Sequence, residues 1–208
     1  DAVSGTIRLF NSVAADDAGN AYVLVTVLDS YGLKVSGERI LQVSPDGKAQ
    51  RILYEADYDP SENLLRVGKL QSLSVREGAL YFFRKEAAAA VMMRIALPAG
   101  SGSQAPASGP AASVEELRSL PLQPNQYLSE LTGTDPNGFF FATKRGRLYK
   151  AGENDTPELL YPSDGRTQLN FPVRVVTRDG RHVYFIDHHE QAVQRLDSGD
   201  PGYPGRCL

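Results

Sequence analysis

A chain of 208 residues with 22 basic and 25 acidic side chains carries a net charge of −3, and the two signs are mixed along it, which argues against a nucleic-acid partner. A single cysteine, Cys207, excludes an internal disulfide, and apolar runs no longer than Ala21–Leu28 are too short to span a membrane. Hydrophobic residues make up 41%, with ten Tyr, eight Phe and no Trp, which is enough for a substantial core in one domain of residues 1–208.

The elements, taken in chain order, form four similar units, approximately 11–60, 64–123, 125–163 and 169–208. Ahead of the first lies a strand-like segment, GTIRLF (Gly5 to Phe10), with no obvious place. The first unit then opens with a hairpin, SVAADDAGNAYVLVTV from Ser12, followed by extra residues at Asp29 to Gly37 and two further strands, ERILQV (38–43) and AQRILY (49–54). The second opens with SLSVREGALYFF from Ser72. Ala87 to Ala90 reads as a hairpin connection, and VMMRIAL (91–97) is the third strand. Residues 98–113, PAGSGSQAPASGPAAS, are small, Gly- and Pro-rich residues with little apolar area to offset ordering, and are expected to form a mobile loop. After them VEELRSL (114–120) has spacing that fits a short helix as well as a strand.

The third unit runs SELTGTDPNGFFFAT from Ser129, GRLYKA (146–151) and PELLYP (157–162), and the fourth RVVTRDGRHVYFID from Arg174 and AVQRLD (192–197). Asn20, Gly78, Gly138 and Gly180 occupy matching places at two-residue turns, where positive φ is needed, and are spaced 58, 60 and 42 residues apart by subtraction. Four antiparallel strands per unit predict an all-β fold, a β-propeller of about four blades, either a closed small ring or part of a larger one. SGDPGYPGRCL, after Asp197, lacks an alternating run. The last blade is therefore expected to take its fourth strand from Gly5 to Phe10, a terminus-to-terminus closure that removes open sheet edges.

The pattern of residues 13–47, an apolar strand, then DAGN, AYV and later RILQVSPDG, resembles an NHL-type or gluconolactonase-like propeller repeat. The fourth unit, DGRHVYFIDHHEQAVQRLD, resembles it too, with Asp187 after the aromatic strand and Arg195 with Leu196 in the next; Arg84 and Thr143 stand about where that Asp would be. In gluconolactonase-like propellers a divalent ion is held at the central channel by carboxylate and amide groups from several blades. Asp187 alone matches such a position by motif, so the resemblance implies a fold and does not carry the lactonase activity with it.

The candidate chemistry gathers at Asp187, His188, His189 and Glu190, where imidazole and carboxylate groups suit a divalent ion. Adjacent side chains on a strand point to opposite faces, so His188 and His189 could share an ion only from a loop, and His182 shows no reason to converge on them. Asp46–Gly47, Asp135 to Gly138 and Asp164–Gly165 are turn signatures explained by their own backbone bonding. KRGRLYK (144–150) alternates charge with Gly, Leu and Tyr and reads as a solvated strand face. No G-x-S-x-G elbow, P-loop, dinucleotide fingerprint or C-x-x-C motif occurs.

The sequence is therefore expected to encode a noncatalytic binding or sensory propeller domain with no cofactor. Asp187, His188 and Glu190 are its candidate ligand contacts, and the partner is a small molecule, glycan or protein, with self-association also possible. An initial Asp reads as a mature or trimmed product with its signal or anchor segment elsewhere, which suggests an extracytoplasmic, bacterial surface or membrane-linked setting. The competing expectation is a metal-dependent lactonase-like hydrolase with Asp187 at the ion.

Overall fold

The computed structural model describes residues 7–56, 58–59, 68–86, 89–97, 113–121, 128–135, 138–143, 147–151, 157–161, 173–177, 181–187, 192–197 and 200–207. Among these, every regular element is a strand. The first eight are β1 (Ile7–Ala15), β2 (Ala21–Leu28), β3 (Val35–Val43), β4 (Gln50–Glu55), β5 (Leu70–Arg76), β6 (Ala79–Lys85), β7 (Ala89–Ala96) and β8 (Val114–Pro121). The rest are β9 (Leu128–Asp135), β10 (Gly138–Thr143), β11 (Leu148–Ala151), β12 (Pro157–Tyr161), β13 (Val173–Thr177), β14 (His182–Asp187), β15 (Ala192–Asp197) and β16 (Asp200–Cys207).

They form four sheets of four strands each, in the orders β1-β2-β3-β4, β5-β6-β7-β8, β9-β10-β11-β12 and β13-β14-β15-β16. Consecutive strands of one sheet are neighbours and no crossover intervenes, which is the up-and-down blade of a β-propeller. The chain divides into two compact units, one of Asp1–Ala87 with Val91–Arg118 and the other of Ala88–Ala90 with Ser119–Leu208.

In the first unit, the alternation of β2 sends Tyr22, Leu24 and Thr26 to one side, all fully buried. With Ile40 and Leu53 they pack on Leu70, Leu73, Leu80, Phe82, Val91, Met93 and Ile95 of the second sheet. Tyr54 meets Phe82 at 5.1 Å between ring centroids. Both first strands are bulged, β1 between Phe10 and Ser12 and β5 between Gln71 and Ser74. The two irregularities interlock, because the Leu73 amide freed by the second donates to Ser12 Oγ in the first at 2.9 Å. The segment VEELRSL is a strand, β8: Glu116 and Glu115 pair with Arg84 (2.6 Å) and Arg94 (3.1 Å), and Leu120 is buried. Of the alanine run, Ala89 and Ala90 belong to β7.

In the second unit Phe140, Leu148 and Leu160 of the third sheet pack on Val175, Val183, Phe185 and Leu196 of the fourth, with Tyr161 and Phe185 at 5.7 Å. The fourth sheet does not borrow a strand from the chain start. Residues 200–207 pair with β15, Val193 opposite Cys207 and Arg195 opposite Gly205, while Ile7 to Phe10 belong to β1 and pair with β2. Pro201 and Pro204 hide β16 from a reading by alternation. At an edge, however, a strand needs amide donors on one side only, and a register shift between Arg195 and Asp197 absorbs further mismatch.

The turns also differ from a uniform two-residue pattern. Only the β5–β6 hairpin is described as such, with Glu77 (φ 50°) and Gly78 (φ 71°) between the paired Arg76 and Ala79. The β1–β2 connection is a five-residue loop, Asp16 to Asn20, and positive φ falls on Gly19 (84°), one place before Asn20. Gly138 opens β10 opposite Asp135, and Gly180 lies outside the described residues. The 98–113 run is outside them as well, apart from Ser113.

Candidate interaction surface

Asp187 closes β14, where its backbone pairs with Ala192; His188, His189 and Glu190 lie outside the described residues. His182 opens the same strand, half-buried and opposite Asp197. Among the described residues no group of three or more His, Cys, Asp or Glu side chains could hold a metal ion, and no helix is long and apolar enough to cross a membrane.

The first sheet, by contrast, presents a defined surface on the face opposite its core. Strand register places Val13, Val23, Leu41 and Ile52 in one row across all four strands. The next row is Phe10, Val25, Arg39 and Glu55, closed by an Arg39–Glu55 ion pair of 2.8 Å. Phe10 is 73% exposed, Val13 68% and Ile52 49%, whereas Val23 and Leu41 are half-buried. The bulge in β1 makes this possible. It carries Phe10 and Val13, three positions apart, onto one face, while Asn11 turns back and donates to Thr26 Oγ1 at 2.6 Å.

At one end of the same sheet Tyr31, 82% exposed, stands on a braced loop between β2 and β3. The Leu33 amide donates to Asp29 Oδ1 (2.9 Å), the Gly32 amide to the Asp29 carbonyl (2.9 Å) and the Asp29 amide to the Lys34 carbonyl (2.8 Å). The bond from Leu33 holds the Asp29 carboxyl below its usual range. Gly32, at φ 67°, lies so close to Ile7 that a Cβ there would stand 2.7 Å from Ile7 Cδ1. The insertion expected at Asp29 to Gly37 is thus shorter, since β3 begins at Val35, and its described residues are tied down rather than adaptable.

The β1–β2 loop is held in a similar way. Asp16 accepts the Asn20 amide and side-chain amide and the Tyr22 hydroxyl, each at 2.8 Å. Burial raises the Asp16 carboxyl, but those bonds outweigh it and leave it below its usual range. Burial and the Asp16 charge push the Tyr22 phenol well up.

Sequence reasoning passed over a further polar group, Glu38. Within ERILQV the inward positions are Glu38, Ile40 and Gln42, so two polar residues stand in the apolar phase of a strand; that phase was the available signal. Gln42 is satisfied by Arg51 Nε at 2.7 Å. Glu38, 1% exposed, accepts the Thr26 hydroxyl at 3.1 Å and the backbone amides of Lys69 and Leu70, the latter at 3.1 Å. Burial pushes its carboxyl above the usual range, against the opposing pull of the Leu70 and Lys69 amides and the Thr26 hydroxyl.

No protein-family model matches the chain, and no curated protein matches it in sequence. Among solved structures, streptogramin B lyase is similar at 10% identity and a TM-score of 0.49, over 100% of this chain and 74% of that one. A Bacteroides caccae protein of unknown function is similar at 12% and 0.45, over 96% and 82%. An auxiliary nutrient binding protein from Bacteroides thetaiotaomicron is similar at 10% and 0.41, over 95% and 56%. Likeness at this level carries no information about chemistry.

Proposed function

We propose that this chain is a noncatalytic binding domain of the β-propeller class that docks a protein partner on the first sheet. The carrying observation is the Val13–Val23–Leu41–Ile52 row with Phe10 beside it, a contiguous apolar stripe left open on a sheet whose opposite face is fully packed. Small molecules favour concave sites with convergent polar groups, and a glycan needs many hydrogen-bonding partners. A flat apolar row edged by an internally neutralised Arg39–Glu55 pair fits instead the desolvated centre of a protein interface. Tyr31, on its braced loop, would reach such a partner with little ordering cost.

The NHL-type character of the repeat, a sensory role, an extracytoplasmic location and a single domain over 1–208 belong to the same reading and rest on the repeat pattern. Asp187, with His188 and Glu190, is kept within it as the polar contact point of the fourth sheet. No observation among the described residues favours the metal-dependent hydrolase.

The test is photo-crosslinking in cells producing the chain, with p-benzoylphenylalanine placed at Phe10 and, as a control, at Lys48 in the exposed β3–β4 turn. A discrete protein adduct at position 10 and none at 48 is the expected result. Equal labelling at both positions, or none at position 10, overturns the reading.

A further inference from the structure

We propose that Glu38 is a proton-sensitive joint between the first two sheets, one residue that fastens the chain as it leaves the first and again as it enters the second. Its carbonyl accepts the Ala56 amide at 3.0 Å, just past the end of β4. Its carboxyl accepts the amides of Lys69 and Leu70, where β5 begins. The grip extends back through the first sheet, since Thr26 on β2 donates to Glu38 and accepts from Asn11 on β1. Even the chain beside it is shaped around the carboxyl. A Cβ added to Gly68 would collide with Glu38 Oε1, so this approach is open only to glycine.

The ionisable surroundings are sparse. Lys69 is the charged residue that acts on the carboxyl from β5. From β2 and β1 come the neutral Thr26 and Asn11, and from β5 the neutral Leu70. Arg39, next to it on β3, faces the other side of the sheet and pairs with Glu55 from β4. A carboxylate that is buried with three neutral donors and one lysine close by carries a desolvation cost that the proton removes.

The folded protein therefore binds the Glu38 proton more tightly than the unfolded chain, whose value is near 4.5. Its contribution to stability is full below that value and declines as pH rises through the folded one, with the joint weakening as the carboxyl ionises.

The experiment follows the Glu38 carboxyl carbon by NMR from about pH 4 to about pH 8, together with hydrogen exchange of the Lys69 and Leu70 amides corrected for intrinsic rate. The carboxyl is expected to titrate above the ordinary glutamate range, with protection of the two amides falling across the same interval, about tenfold for each unit separating folded and unfolded values. Glu38→Gln is expected to abolish that pH dependence. Should this variant fail to fold, Thr26→Val retains the carboxyl and removes a donor to it, and is expected to move the midpoint higher. A midpoint within or below the ordinary range overturns the proposal, as does amide protection that ignores the titration or a Thr26→Val midpoint that stays put or falls.

Discussion

Single residues in the first unit are held in conformations or contacts that another side chain would change in a predictable direction. Glu77 has φ of 50° in a turn whose two central residues both need positive φ, a conformation that costs an ordinary L-residue about 1–2 kcal/mol and asparagine less. Its 3.2 Å pair with Arg76 is exposed and adds little. Glu77→Asn is therefore expected to raise stability by up to about 1 kcal/mol, a rise in Tm of about 2–4 °C. An unchanged or lower melting temperature in calorimetry would show that the turn is not strained by its glutamate. Gly68 gives the opposite case. Gly68→Ala is expected to cost about 2 kcal/mol or more, because the new methyl displaces a carboxyl already bonded to two amides and a hydroxyl. In a Glu38→Ala background most of that penalty should vanish, giving a coupling above about 1 kcal/mol by denaturant unfolding. Additive effects would mean that Gly68 is required for some reason other than Glu38.

At the scale of strands, the bulge in β1 separates two kinds of surface, one packed and one open. Ser12 faces the second sheet and accepts the Leu73 amide, so Ser12→Ala strands a partly buried donor and should cost about 1 kcal/mol. Val13, its neighbour, faces outward, as does Ile52 at the far edge of the same row. The double change Val13→Thr with Ile52→Thr is thus expected to shift unfolding free energy by no more than about 0.5 kcal/mol while reducing the yield of the position-10 crosslink several-fold. A large loss of stability would place those side chains in the core. An unchanged crosslink yield would move the interface elsewhere. Such positions were not legible beforehand, because apolar alternation marks which residues share a face and not whether that face is covered. The four hairpins were legible, since aromatic strands after Gly- or Asn-containing turns follow from backbone sterics alone. β16 was not, because Pro201 and Pro204 suppress the strand signal while edge pairing tolerates them.

Over the whole molecule, each compact unit contains two sheets with a core of its own, the first built on Tyr22, Leu24, Ile40 and Phe82 and the second on Phe140, Val183, Phe185 and Leu196. Repetition of the blade pattern was readable from Asn20, Gly78, Gly138 and Gly180, yet the grouping into units depends on long-range packing that no local pattern encodes. Glu38 was hidden for the same reason: its partners Lys69 and Leu70 lie 31 and 32 positions away. Separate cores make separate opening events the expected behaviour, because a unit that keeps its own contacts stays closed when the other is damaged. Glu38→Ala leaves two amides and a hydroxyl without their acceptor in the first unit and touches no contact of the second. Native-state hydrogen exchange should therefore show the Leu24, Ile40 and Phe82 amides losing protection while those of Val183, Phe185 and Leu196 keep theirs. If all six fell together by the same factor, the chain would unfold as one cooperative body, and the sheets would depend on one another for stability as closely as strands within a sheet.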